Sequence, residues 1–536
     1  MIARGRVGRA AAVLIVGAAV AAACGSGKSA LQAGIDEPDT IAPAPSTVTA
    51  GTDGGTGPTD STGPGSTGTG PTGTGSTGSA TGSTAPATVA PTTTESPLAD
   101  QPACPTGALD EASGLVEITF WHAMTNELEA SLIALTDEYN ADQDRVRIDL
   151  QNQTGYDSAI DKYIQSSQDS RPALVQFPEY VVQSFAQSGT LIPIEACLQD
   201  SGYDTSAFLE RTLDAYTFEG IRWSMPFNVS NPVLFYNRLR FEAAGLDPDV
   251  SPVSLEDLRA TSQTIVDSGA ATFGWVVDSG PDSGGGWFLE QWFGRADQLY
   301  ADNGNGRIAP ATKVLYDGET GIGLLTFVQS MINDGLAVTV GDNPGGQDAL
   351  FKMIDPASPG AMTIGTSAAL GSVIAALGGG IAPGLTEDDI GVGPMPGPGD
   401  TPGVQVGGGS LWIVADKGDE RTAAAWDFIT YLVSAEIQAR WASETGYVPV
   451  RSDAVDLEPL ATTYATDPRF KVPYDQLRTS VEGEASLSPV LGPQREVRVA
   501  TANAVAAIFA GADVATSLSA AAAQSNALID SYNQRN

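Results

Sequence analysis

Histidine is nearly absent from this chain: His122 is the only one, and there are three cysteines, Cys24, Cys104 and Cys197. That scarcity excludes zinc-finger spacings and leaves a single imidazole for any catalytic triad. His122 lies between Trp121 and Ala123, without a recognisable triad motif nearby, and reads as structural. No G-x-S-x-G and no H-E-x-x-H occurs, and Asp302-Asn-Gly-Asn-Gly-Arg lacks the ligand order of a calcium loop. No metal site or cofactor is expected. Basic residues are also few, 27 against 64 acidic ones, giving a net charge of −37. A surface of that sign repels phosphate backbones, so nucleic acid and anionic lipid are poor partners; an anion could be held only in one local basic pocket.

A long apolar run is missing too. Residues 1–23 carry a basic start and a short Ala-rich stretch, too short for a membrane span, and read as an export signal. Cys24 follows V-A-A-A and precedes Gly-Ser, which looks like a lipobox with Cys24 acylated after cleavage; the alternative is an ordinary secretory signal with a chance cysteine. Gly25 to Ser29 mimics half a P-loop, but the leading glycine and the preceding strand are lacking. Residues 24–103 are dominated by Gly, Ser, Thr and Pro and have too few apolar side chains to offset their chain entropy: a linker. In an exported protein Cys104 and Cys197 are expected to form one disulfide, the alternative being two buried thiols.

From residue 104 onward the pattern becomes globular, with room for a large core in two lobes. Leu115 to Trp121, Val146 to Leu150 and Ala173 to Phe177 read as strands. They alternate with helices beginning near Asn126, where Glu129 suggests a capping box, and near Tyr156. Such alternation implies an α/β lobe with a parallel sheet whose ligand loops lie beyond the strand ends. Pro232 to Tyr236 reads as a strand entering a helix at Asn237, and Ser254 to Asp267 as a further helix. The aromatic cluster Trp287, Phe288, Trp292, Phe293 has helical spacing and reads as core, with one ring available for a cleft wall. Gly360-Ala-Met-Thr and Gly407-Gly-Gly-Ser-Leu-Trp are strands with small residues at their tips, where backbone N–H groups can approach a ligand.

The phrasing of P-F-N-V-S-N-P-V-L-F-Y-N (Pro226 to Asn237), with F-W-H at Phe120, Q-x-x-E at Gln176, G-A-M-T at Gly360, G-G-x-S-L-W, T-G-Y-x-P at Thr445 and P-Q…R at Pro493, resembles the extracellular solute-binding proteins (family 1) of ABC importers. Within that group it is most similar to the branch binding glycerol 3-phosphate and glycerophosphodiesters. The resemblance implies a two-lobed, periplasmic-binding-protein-like fold of class II type, with hinge crossings and a cleft. Lobe 1 is expected over about 104–228 plus 360–415, and lobe 2 over about 229–359 plus 416–536. It implies a non-enzymatic monomer that binds a small solute and docks on permease subunits, lipid-anchored outside the cytoplasm. The implied solute is sn-glycerol 3-phosphate or a glycerophosphodiester such as glycerophosphocholine, with an oligosaccharide as the alternative. Carried over residue by residue, the ligand set is Tyr156, Glu179, Ser230, Thr366 (or Ser367), Gly408, Tyr447 and Arg498. Arg498 would grip phosphate bidentately, and Glu179 and Tyr156 would meet glycerol hydroxyls. Leu255 stands where glycerol 3-phosphate binders often have Trp. The implied gap would admit a larger diester, with Trp287 facing its quaternary ammonium.

Overall fold

The computed structural model describes residues 98–480 and 482–536. The export signal, Cys24, the P-loop mimic and most of the linker lie outside the described residues. Leu98 already packs against the core, so the globular part starts slightly before the expected residue 104.

Thirteen strands are found among the described residues: β1 (Val116–His122), β2 (Val146–Asn152), β3 (Leu174–Pro178), β4 (Leu191–Ile192), β5 (Thr217–Phe218), β6 (Ile221–Arg222), β7 (Met225–Ser230), β8 (Pro232–Asn237), β9 (Phe273–Val277), β10 (Ala337–Thr339), β11 (Gly360–Thr366), β12 (Ile390–Pro394) and β13 (Gly407–Val414). The helices that matter to the site are α1 (Asn126–Asp142), α2 (Tyr156–Gln165), α3 (Leu255–Ser268), α4 (Trp287–Arg295), α5 (Glu319–Asn333), α6 (Asp419–Leu432), α7 (Ala435–Thr445), α8 (Val472–Thr479), α9 (Gln494–Phe509) and α10 (Val514–Asn533).

Two sheets define two lobes. The first runs β2-β1-β3-β13-β4, with β7 also on β13. Strands β1, β2 and β3 are parallel, as the alternation with α1 and α2 demands. The last strand, β13, enters antiparallel beside β3. Val116, Ile118 and Phe120 alternate inward along β1, which His122 closes in a buried position, while β3 is buried along its whole length. The second sheet runs β10-β9-β11-β8-β12.

Strands β7 and β8 are both fully buried and only Asn231 separates them, yet they belong to different sheets. The chain therefore crosses between lobes at Asn231. Its side chain is wholly buried, donates to the Pro473 carbonyl (2.9 Å) and accepts from Gln476 Nε2 (2.5 Å), tying the crossing to α8. A second crossing is the segment 395–406 between β12 and β13, and a third lies between α7 and α8. Asn237 ends β8 and caps the following helix, its Oδ1 accepting from the Arg240 N–H at 3.1 Å.

Three expectations need correction. The segment 360–394 belongs to lobe 2, because β11 pairs with β8 and β9, and β12 pairs with β8. The first helices after 415 belong to lobe 1: α6 packs on β1 and β13, and α7 on α1, whereas α9 and α10 pack on α5 in lobe 2. Strand tips rich in glycine look alike in sequence whichever sheet they join. The capping box at Asn126 does not form either. Thr125 occupies the cap with extended backbone and Asn126 takes a left-handed φ of 54°, a conformation that Asn tolerates.

Cys104 and Cys197 are bonded, pinning the start of the globular part to the helix that follows β4.

Candidate functional site

Beyond the end of β3 the chain makes a single 3-10 turn, Glu179–Val181, that presents Glu179 and Tyr180 toward lobe 2. Both are buried. From the other lobe, α9 brings Arg498 to the same place. The Arg498 guanidinium is 3% exposed and lies over the Tyr180 ring, 4.8 Å from its centroid. Its Nη2 donates to Glu179 Oε1 at 2.8 Å, a bond that crosses from one lobe to the other. Three residues away, Arg495 makes a more exposed crossing to Asp157 (2.9 Å) and Asp161 (2.7 Å) on α2.

Glu290 holds Arg498 from its own lobe. Arg498 Nε donates to Glu290 Oε1 at 2.9 Å and Nη2 to Oε2 at 2.7 Å, a bidentate pair. Gln494 Nε2 donates to the same Oε1 at 2.5 Å. Glu290 is wholly buried. Asp282 approaches Nη1 at 3.5 Å from the rim, its side chain 61% exposed. Burial works against the charge on Arg498, but Glu290 and Glu179 outweigh it and hold the guanidinium in its cationic form. For Glu179 the balance goes the other way: burial pushes its pKa up to about 7 against the pull of Arg498.

The lobe 1 floor is a hydrogen-bonded chain. The Ala123 N–H donates to Gln176 Oε1 (2.8 Å), Gln176 Nε2 to Asn228 Oδ1 (2.7 Å), and Asn228 Nδ2 to the Tyr156 hydroxyl (2.7 Å). Every donor in this chain is matched to an acceptor, which fixes the amide orientations and aims the Tyr156 ring. Tyr447 closes the same corner. Its ring stacks on Trp441 (5.5 Å between centroids), which stacks on Phe227 (4.9 Å). Burial raises the Tyr447 hydroxyl to about 12, so both tyrosines serve as neutral hydroxyls.

Glycines 407, 408 and 409 run between these groups. A Cβ on Gly407 would sit 2.2 Å from Trp287 Cζ2, one on Gly408 2.1 Å from the Asn228 carbonyl oxygen, and one on Gly409 2.7 Å from the Tyr156 hydroxyl. Gly408 also has φ +91°, where a side chain is strained. The backbone of β13 thus touches residues of both lobes at a distance no other residue type allows.

The structure brings Tyr156, Glu179, Gly408, Tyr447 and Arg498 together around this interlobe site, with Trp287 against its glycine floor. Trp287 is 6% exposed and its buried indole N–H has no partner among the described residues. Ser230, the last residue of β7, is buried opposite Gly407 in the sheet register. Thr366 pairs with Pro232 at the first crossing, but its hydroxyl accepts from the Ala368 N–H, turning toward its own helical turn. Ser367, the neighbouring alternative, is buried and its Oγ accepts from the Asn231 N–H at 3.4 Å.

Leu255 does not join them. It opens α3, where the Ser254 capping box and a bond from its own N–H to the Gly397 carbonyl hold it. Gly397 abuts Arg295 at one end of α4, while Gly286 abuts Arg498 at the other. Nine helical residues lie between, about 13 Å along the axis. Leu255 is therefore held at the Arg295 end of α4, whereas Arg498 packs on Gly286 and bonds Glu290 nearer the start of that helix. The bidentate phosphate grip expected of Arg498 is also altered, since Glu290 already occupies the Nε–Nη2 edge.

Four residues of the site escaped the sequence reading in these roles: Gln176, Tyr180, Asn228 and Glu290. Glu290 had a usable signal, being a lone acid in W-F-L-E-Q-W-F, a helix whose residues are all buried.

The family model described as bacterial extracellular solute-binding protein matches residues 134–472. The sn-glycerol-3-phosphate-binding periplasmic protein UgpB of Yersinia pseudotuberculosis serotype I (strain IP32953) is 25% identical over 419 residues, 75% of this chain and 89% of its own. Among solved structures, UgpB from Mycobacterium tuberculosis in complex with glycerophosphocholine superposes with a TM-score of 0.64 at 21% identity, over 78% of this chain and 98% of its own. The cyclic alpha-maltosyl-1,6-maltose binding protein from Arthrobacter globiformis does so with a TM-score of 0.61 at 22% identity, over 78% and 99%. These two likenesses speak for the fold. A family match over more than half the length, on two lobes that enclose a polar site, places the chain in the bacterial extracellular solute-binding protein family, the non-enzymatic components that capture small solutes outside the cytoplasm for ABC importers.

Proposed function

We propose that this protein captures a glycerol phosphate compound, a glycerophosphodiester such as glycerophosphocholine or sn-glycerol 3-phosphate itself, and hands it to its permease. The observation that carries the reading is Arg498: a buried guanidinium at the lobe interface, in a chain of net charge −37, with one hydrogen bond reaching the opposite lobe. Its Nη1 side faces the rim and can take a phosphate oxygen. Gly408 N–H and the hydroxyls of Tyr156, Tyr447, Ser230 and Thr366 supply further donors, and Glu179 accepts from a glycerol hydroxyl once it is released from Arg498. The name of the Yersinia relative supports the same solute class. Closure of the lobes about Asn231 and 395–406 would then seal the solute in.

In this reading Cys24 carries the lipid anchor, residues 24–103 tether the lobes to the membrane, and the protein acts as a monomer. A second reading, an oligosaccharide, is favoured by the pairing of Arg498 with two carboxylates and by the aromatic rings of Tyr180, Trp287 and Tyr447. Titration calorimetry and thermal shift with glycerophosphocholine, glycerol 3-phosphate and maltose decide between them, because a ligand that binds the native state raises its melting temperature. Binding of a phosphodiester that Arg498→Ala abolishes is the expected result. Maltose binding that survives Arg498→Ala, with no phosphodiester binding, would select the second reading.

A further inference from the structure

The charge balance around Arg498 is unusual for a phosphate site. One cation faces two buried carboxylates, Glu290 and Glu179, with Asp282 at the rim. Glu290 receives three N–H donors on its two oxygens, from Arg498 Nε, Arg498 Nη2 and Gln494 Nε2. Both of its oxygens therefore act as acceptors toward Arg498 and Gln494. It is wholly buried, so solvent does not screen it, and it consumes the guanidinium edge best shaped for two oxygens. What remains for a solute is Nη1, together with the Nη2 hydrogen that Glu179 takes in this structure.

We propose that Glu290 is a specificity-determining residue, which offsets the charge of Arg498 so that the site accepts a singly charged phosphodiester and rejects a dianionic phosphomonoester. This rests on the phosphodiester reading above. A diester has two unsubstituted oxygens and one negative charge, which the two terminal nitrogens Nη1 and Nη2 can meet with the hydrogens Glu290 leaves. A monoester brings a second negative charge, which would face Glu179 and Asp282 with the charge of Arg498 already offset by Glu290. A cationic group on the same solute would instead be drawn to those two carboxylates.

The test is calorimetry at pH 7.5 on the intact protein with three probes: glycerophosphocholine, the methyl diester of glycerol 3-phosphate, and glycerol 3-phosphate. Wild type is expected to bind both diesters at least tenfold tighter than the monoester. Glu290→Gln keeps the shape and an acceptor for Arg498, and should narrow that gap tenfold or more, chiefly by gaining monoester affinity. An unchanged gap, or equal weakening of all three probes, overturns the assignment and leaves Glu290 a packing partner of Arg498. Should the variant fail to fold, the pH dependence is read in Glu179→Gln, which lacks the carboxyl that itself titrates near 7 beside Arg498. A phosphomonoester sheds its second charge as pH falls through about 6, so the diester-to-monoester affinity ratio should shrink severalfold between pH 7.5 and pH 5.5. A constant ratio refutes the proposal. If wild type binds no probe at any pH, the phosphodiester reading falls, and this assignment with it.

Discussion

Replacing Glu179 by Gln tests the electrostatics of the interface most directly. Glu179 is 7% exposed, and its burial lifts the carboxyl pKa to about 7 although Arg498 lies 2.8 Å away. In the unfolded chain the same group titrates near 4.3. Between those values the native protein holds a proton that the unfolded chain releases, so this group makes stability fall as pH rises. Its contribution is fully present below about 4.3 and is gone above about 7. At 1.36 kcal/mol per unit the full swing is roughly 4 kcal/mol, of which about 3 falls between pH 4.3 and pH 7.5. Gln does not titrate, and its amide oxygen can still accept from Arg498 Nη2. The stability of wild type minus that of Glu179→Gln should therefore decline by about 3 kcal/mol from pH 4.3 to pH 7.5. Urea unfolding of both proteins at half-unit pH steps measures it. Parallel curves would mean that Glu179 titrates normally. A difference that grows with pH would mean that Arg498 depresses the pKa, and would refute the view that burial outweighs the ion pair.

Three further outcomes follow from the same geometry. Arg498→Met should cost about 3–5 kcal/mol in urea unfolding, because it strands the wholly buried Glu290 without a counter-charge, while adding Glu290→Met should recover most of that loss. A loss under about 1 kcal/mol for Arg498→Met would contradict the buried pair. Opening the Cys104–Cys197 bridge by Cys→Ser at both positions frees a loop with a sequence separation of 93. The chain-entropy limit is a loss of about 4–5 kcal/mol, read as a lower melting temperature that reductant no longer changes. Gly408→Ala should destabilise by about 2 kcal/mol or more and abolish solute binding, since its Cβ would meet the Asn228 carbonyl at 2.1 Å. Gly399→Ala, also at positive φ but with open space around it, should cost only about 1 kcal/mol and leave binding intact.

The fold was legible where a strand is followed at once by a helix. The alternation through residues 115–177 announces a parallel sheet, and β1, β2 and β3 form one with their ligand loops at the expected ends. Asn237 at the end of an apolar run reads as a cap and is one. Lobe membership after residue 360 was not legible, because it depends on which partners a strand finds. Gly360–Thr366 and Gly407–Val414 are both apolar strands with small residues at one end, yet one pairs with β8 and β9 and the other with β3, β4 and β7. Nothing within seven or eight residues encodes that choice; it is made by pairing with strands far off in the chain, the nearest being β9, where Gly360 meets Phe273.

The site divides along a similar line. Residues at strand ends and tight turns (Tyr156, Glu179, Gly408) can be placed from local pattern together with a family resemblance, because topology alone brings strand ends to the cleft. Leu255 could not, since its helix shares a lobe with Arg498 but docks at the other end of α4, and no sequence spacing measures that distance. Glu290 is the sharpest case. Its helix reads as core, and core it is; but a carboxylate with no exposed surface must have a partner, and the obvious partner in a cleft otherwise short of cations is the arginine expected to meet the solute. If Arg498 meets the solute as proposed, an acid buried beside it limits how much negative charge that solute can bring. The same pairing that lets α4 and α9 close into a core would then set the charge of what the lobes can hold.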